Sequence, residues 1–200
     1  MLLVVDCGNT NIVFGIYEGS FLVAHWRTAT VGDKTADDYA VWLRTTMKAN
    51  NLSCEKIDAA IICSVVPDRN RPLRQLCEEV LKINVDFVSE LSLGIDVAIS
   101  NPTEVGNDRL VTAVAAHDTY GGPLIVIDFG TATTFDVLDK HGMYVGGVIA
   151  PGINLSMDAL HMAAALLPKV TVIKPESASV IGTSTVTAMR SGIFWGYIGL

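Results

Sequence analysis

The sequence predicts an α/β protein of two similar halves, each a mixed sheet flanked by helices. Three observations lead there. Half of the 200 residues are apolar, enough to bury a good core in one domain or two small ones. The pattern Leu3-Val4-Val5-Asp6-Cys7-Gly8-Asn9-Thr10-Asn11 returns at Val126-Ile127-Asp128-Phe129-Gly130-Thr131. Asp6 to Asp128 and Gly8 to Gly130 share one offset, 122 residues. After the first copy the elements read as three strands, helix, strand, helix, strand, which is a mixed layer and not the strict alternation of a Rossmann unit.

In chain order, 2–6, 12–17 and 21–28 are β-forming runs joined by short turns, and predict an antiparallel meander. Thr35-Ala36-Asp37-Asp38 has the form of a capping signal. Tyr39, Trp42, Leu43 and Met47 follow at helical spacing, so a helix is expected to about Ala49. The apolar run 57–64 predicts a strand buried on both faces. Pro67 and Pro72 are expected to punctuate a turn before a short amphipathic helix over 73–81, with a strand at 85–88. Residues 89–104 read as irregular, and Asn101-Pro102 favours an extended turn. An apolar helix opens after Gly106 and ends near Gly121-Gly122-Pro123. That glycine pair is the expected boundary between a first domain, 1–121, and a second, 122–200. The second repeats the hairpin with strands at 124–128, 135–138 and 144–149. A turn is expected at Gly146-Gly147, a Met- and Ala-rich helix over 153–166, and a last helix from Val186 behind Gly182-Thr183-Ser184-Thr185. With fewer elements than the first, this second domain is expected to be incomplete.

Bulk properties exclude some partners. The net charge is −7 and the pI about 4.9, so neither nucleic acid nor an anionic membrane is an expected partner. Cys7, Cys54, Cys63 and Cys77 show no C-x-x-C pairing and read as reduced thiols of a cytoplasmic protein. The opening Met-Leu-Leu-Val-Val-Asp lacks a basic leader and reads as a strand. The mean hydropathy of +0.41 is attributed to buried sheet, because no apolar run reaches the eighteen or so residues of a membrane span.

The two Asp-x-Gly turns are the first candidates for chemistry. A carboxylate at a strand end can hold Mg²⁺ through water or orient a nucleophile. Glycine lets backbone N–H groups close around a phosphate, and Asn9, Thr10, Asn11, Thr131 and Thr133 add neutral donors. Hairpin turning alone would account for one such copy; two matched copies point to a ligand held by both halves. No Walker loop is present. Asp108, followed at once by Arg109 at a helix start, offers a base and a cation for an anionic substrate. Taken alone, Asp108 also suits a helix cap.

Four ordered motifs carry a resemblance. Asp6-x-Gly8-Asn9-Thr10-Asn11, Gly106-x-Asp108-Arg109, Asp128-x-Gly130-Thr131-Ala132-x-Thr134 and Gly146-Gly147-x-Ile149-x-Pro151-Gly152 occur in the order seen in type III pantothenate kinases. The whole chain resembles that family, a branch of the acetate-kinase/hexokinase/actin-like superfamily. The resemblance implies two ribonuclease-H-like domains of actin-like ATPase type, with ATP in the cleft between them. It implies phosphorylation of pantothenate to 4'-phosphopantothenate by ATP, the first step of coenzyme A synthesis. A homodimer is implied as well, with Mg²⁺ and a monovalent cation, K⁺ or NH₄⁺. Position by position, Asp108 becomes the general base. Gly106, Asn107, Asp108, Arg109 and Thr185 become the pantothenate site. Asp6, Gly8, Asn9, Thr10 and Asn11 face the transferring phosphate and its Mg²⁺, Asp128 the monovalent cation, and Thr131 the nucleotide.

Two departures stand out: Ile99 occupies a position where the family often has Tyr, and Asn107 replaces the commoner Ala. The alternatives are another kinase or phosphatase of the superfamily, or a nucleotide-binding regulator without catalysis. His25, His117, His141 and His161 share no ligand spacing. Arg69, Arg71 and Arg74 read as a solvated face. Cys7 has no basic neighbour in sequence and is given no catalysis. Apolar positions in 157–167 are the candidates for a dimer contact.

Overall fold

The computed structural model describes residues 1–30, 32–176 and 179–200, which divide into two units. The first comprises Met1–Gly121 with Gly142–Tyr144, the second Gly122–His141 with Val145–Leu200.

Period-two patterning builds the first sheet. In β1 (Leu2–Cys7) the side chains of Leu3, Val5 and Cys7 are buried while Asp6 is exposed, because successive residues point to opposite faces. β1 pairs antiparallel with β2 (Asn11–Glu18), which pairs antiparallel with β3 (Phe21–Ala29). On its other side β1 pairs in parallel with β4 (Ala59–Ser64), and β4 with β5 (Asn84–Phe87), giving the order β3-β2-β1-β4-β5. Helix α1 (Ala36–Ala49) starts on a complete capping box between Thr35 and Asp38. It lays Tyr39, Ala40, Leu43 and Met47 over Leu3, Val5, Phe14 and Ile16. Each such fully buried aliphatic side chain contributes roughly 1.5–3 kcal/mol over exposure.

The two prolines do not mark a turn. Helix α2 (Pro67–Gln75) opens on Pro67 and carries Pro72 within it, then continues as a π-helical segment, Leu76–Leu81. At the first helical position proline gives up an N–H that has no intrahelical partner. Further in, Pro72 does forfeit a bond, but Leu73, Leu76 and Cys77 are all buried in the same core. Helix α3 (Asn107–Tyr120) lies against β4.

In the second unit β6 (Leu124–Phe129) pairs antiparallel with β7 (Ala132–Leu138), and β8 (Tyr144–Pro151) completes the order β6-β7-β8. The hairpin therefore recurs, as the repeated pattern indicated. Where β1 has strands on both sides, β6 has only β7 beside it among the described residues. The expected turn at Gly146-Gly147 is not one: both glycines lie inside β8. Gly146 takes φ +143°, an extended conformation closed to most side chains. Helix α4 (Ile153–Ala163) ends three residues earlier than expected, at Ala163. Helix α5 (Thr185–Ile198) starts on a Ser184–Thr187 capping box. Met157, Val170 and Met189 form a small core of their own. Among the described residues no helix is long and apolar enough to cross a membrane.

Candidate active site

Asp6 reaches the surface because of its register. It sits one residue before the end of β1, opposite Val13 on β2 and Cys63 on β4. The chain then turns through Gly8, Asn9 and Thr10 before β2 begins at Asn11; Asn9 and Thr10 are exposed. The turn is closed by its own backbone, since the Gly8 N–H donates to the Asn11 carbonyl at 3.0 Å. Thr30 Oγ1 donates to the Gly8 carbonyl at 2.7 Å. The corresponding corner on the second unit is one residue shorter, Gly130 and Thr131, and closes the same way, Gly130 N–H to the Ala132 carbonyl at 3.0 Å. Each glycine N–H is therefore taken up within its own turn, and is not part of the expected phosphate cradle. Asn9, Thr10 and Thr131 are exposed at these corners.

Gly130 has a different purpose. A Cβ there would stand 3.2 Å from Asp128 Oδ2, so glycine leaves space for the carboxylate. Gly152 presses on the same corner: its N–H donates to the Thr131 carbonyl at 3.0 Å. A Cβ on it would lie 2.5 Å from the carbonyl oxygens of both Gly130 and Thr131. Asp128, exposed at the end of β6, is followed by this carbonyl-lined turn. An acid with several oxygens beside it suits a hard cation.

Helix α3 presents the third acid. Its N-cap is Gly106, without a side-chain cap. Asp108 is therefore not the N-cap residue but an acid in the helix's first turn. Its Oδ1 accepts from the Arg109 N–H at 2.9 Å. A Cβ on Gly106 would fall 2.4 Å from that oxygen. The Arg109 guanidinium donates through Nη2 to the Tyr144 hydroxyl at 2.6 Å.

Asp6 and Asp108 act on the same thiol. Burial, then the charge of Asp6, then that of Asp108 push Cys63 up to about 12. Asp6 stands opposite Cys63 in the sheet, and α3, which carries Asp108, lies against the same strand β4. Cys7 is also raised, by burial first; Ser64 pulls it down, Asp6 adds to the rise, and Arg69 opposes it. Arg69 therefore lies near this strand end and not on a purely solvated face. Arg74 instead pairs with Glu78 and Glu90 and covers the Phe87 ring. Only Arg69 of the three is a basic neighbour of Cys7, a proximity that sequence separation hides. Tyr144 was likewise missed. So was Asp136, a buried acid on β7 that accepts from Thr134 Oγ1 at 3.3 Å; a lone acid in an apolar strand was its only signal.

Of the expected site residues, Asp6, Gly8, Asn9, Thr10, Asn11, Gly106, Asn107, Asp108 and Arg109 lie on the first unit. Asp128, Thr131 and Thr185 lie on the second. Thr185 is exposed in the first turn of α5. No group of three or more His, Cys, Asp or Glu side chains with metal-site geometry occurs among the described residues.

Residues 2–200 match the family described as type III pantothenate kinase. The chain belongs to the type III pantothenate kinase family. A type III pantothenate kinase of Paramagnetospirillum magneticum is 54% identical over 202 residues, covering all of this chain and 77% of the relative. One from Caulobacter vibrioides is 50% identical over 201 residues, with the same 77% coverage of its length. Among solved structures, a Baf family transcriptional activator from Campylobacter jejuni superposes with a TM-score of 0.59 at 19% identity, over 98% of this chain and 75% of that one. A 2-dehydro-3-deoxygalactonokinase protein from Sinorhizobium meliloti gives 0.55 at 13% identity, over 98% and 78%. At such identities these two likenesses concern the fold alone. The family itself is one of kinases.

Proposed function

We propose that this chain transfers the γ-phosphoryl group of ATP to the primary hydroxyl of pantothenate, the first step of coenzyme A synthesis. The observation that carries this reading is the match to the family along the chain's length; Asp6, opposite Cys63 on β4, and Asp108, on the helix against β4, supply the acids. Phosphoryl transfer asks mainly for positioning and charge neutralisation, with one carboxylate at the attacking hydroxyl. In this scheme Asp108 takes the hydroxyl proton as the new P–O bond forms and the bond to the ADP oxygen breaks. Arg109 faces the pantothenate carboxylate, and Gly106, Asn107 and Thr185 line the rest of that site. Asn9, Thr10, Asn11 and Thr131 hold the nucleotide.

The residues present fit the implied cations. The exposed carboxylate of Asp6, near the end of β1, suits a Mg²⁺ completed by water and phosphate oxygens. Bound there, it would neutralise charge on the transferring phosphate. Asp128, with the space left by Gly130, is our candidate ligand for K⁺ or NH₄⁺. Exposed Leu160, Met162 and Leu166 support a homodimer contact, although Met157 is buried in the unit's own core. Four unpaired cysteines support a cytoplasmic location.

The test is a coupled ADP-release assay with pantothenate, Mg²⁺ and K⁺. Turnover should require all three, and Asp108→Asn should lower kcat by about 10²–10⁴-fold, the usual share of a general base. Undiminished turnover in that variant would refute the role given to Asp108; glucose or acetate outperforming pantothenate would refute the substrate.

A further inference from the structure

We propose that Tyr144 is a positioning residue for Arg109, holding its guanidinium where the acceptor's carboxylate binds. The inference rests on the reading of Arg109 given above and adds the residue through which that arginine is set. Arginine has several rotatable bonds, and its rotamer freedom opposes binding unless something restrains it. Here the Tyr144 hydroxyl accepts from Nη2 at 2.6 Å, and the guanidinium carbon lies 5.7 Å from the ring centroid. The tyrosine is only 2% exposed, so a phenylalanine in its place would leave the arginine without that acceptor and add no water in compensation.

Tyr144 is itself held from both sides. Its N–H donates to the Asp96 carbonyl and its carbonyl accepts from the Ala98 N–H, each at 2.8 Å, around a parallel bridge with Val97. Two residues earlier, Gly142 takes φ +83° and lies so close beneath the His117 ring that a Cβ would meet it at 2.8 Å. The segment Gly142–Tyr144 therefore meets two side chains of α3, His117 and Arg109. It touches the last turn of the helix through Gly142 and the first turn through Tyr144. Although its neighbours in sequence belong to the second unit, this segment packs with the first. A tyrosine tied to Asp96 and Ala98 through its backbone thus restrains the side chain next to Asp108.

The experiment is a double-mutant cycle in the full chain: Tyr144→Phe, Arg109→Ala and the double variant, with KM for pantothenate and for ATP measured separately. Where turnover is too low, calorimetric binding of pantothenate replaces KM. Tyr144→Phe should raise the pantothenate KM about 10-fold, the scale of a charge-assisted hydrogen bond. Its kcat and ATP KM should stay within about 2-fold, the signature of lost substrate binding. In the Arg109→Ala background the tyrosine change should add nothing, because residues acting through one contact are not additive. Additive penalties, or equal shifts in both KM values, would overturn the inference while leaving Arg109 in its role. If Arg109→Ala leaves the pantothenate KM unmoved, the reading of Arg109 falls, and this inference with it.

Discussion

Substituting alanine for Gly106 separates the chemical use of Asp108 from its place in the helix. The backbone at Gly106 has φ −60° and ψ 140°, which any residue adopts, so no conformational strain follows. Space is the difficulty. The new Cβ would stand 2.4 Å from Asp108 Oδ1, whereas ordinary contact begins at 3.4 Å. The carboxylate must retreat by the difference, about 1 Å, and a misplacement of that size costs on the order of 10²-fold in rate. Stability should hardly change. The short side chain can swing away, and the entropy gained by removing a glycine from the unfolded chain, about 0.4–1 kcal/mol, offsets the weaker N-cap. The assay is kcat by ADP release beside thermal unfolding: a loss of roughly 30–100-fold in kcat with Tm within about 3 °C. Activity within a factor of about three of the parent would refute the idea that Asp108 works from the position described. A collapse of Tm would show instead that Gly106 is chiefly structural.

Gly152→Ala makes a contrasting case, because the atoms 2.5 Å from its Cβ are backbone carbonyls of Gly130 and Thr131 and cannot swing aside. We expect a loss of about 1–3 kcal/mol, as for overpacking, and weaker nucleotide binding by calorimetry; unchanged values of both would contradict the corner described. Asp38→Asn tests the cap of α1. Hydrogen bonds from the Thr35 backbone and then its side chain hold the Asp38 carboxyl below the usual 3.8. A depressed acid stabilises the fold above its unfolded pKa and loses that contribution as pH falls through the folded value. The Tm gap between parent and variant, followed by tryptophan fluorescence, should be full at pH 6–7 and close below about pH 4; a gap that persisted in acid would mean the charge is not what caps the helix.

Much of the fold was legible because its signals are local. Alternation in 2–6 buries Leu3, Val5 and Cys7 and exposes Asp6. The capping signal at Thr35 starts a helix that ends where its apolar spacing ends, at Ala49. The proline rule failed at Pro67 and Pro72, since a buried face formed by Leu73, Leu76 and Cys77 outweighs one absent hydrogen bond. It failed at Gly146-Gly147 for a related reason: glycine marks an unusual φ, and a strand can hold one as readily as a turn can.

By itself the sequence determined the repeated acid-and-glycine corners, the helix start at Gly106 and the family, each carried by short motifs of fewer than a dozen residues. Only the tertiary structure decided which groups share a neighbourhood. The charge of Arg69 is felt at Cys7, the Tyr144 hydroxyl accepts from Arg109, and Asp6 and Asp108, 102 residues apart in the chain, both bear on Cys63. Sheet register and helix packing set those proximities, and neither leaves a trace in the spacing along the chain.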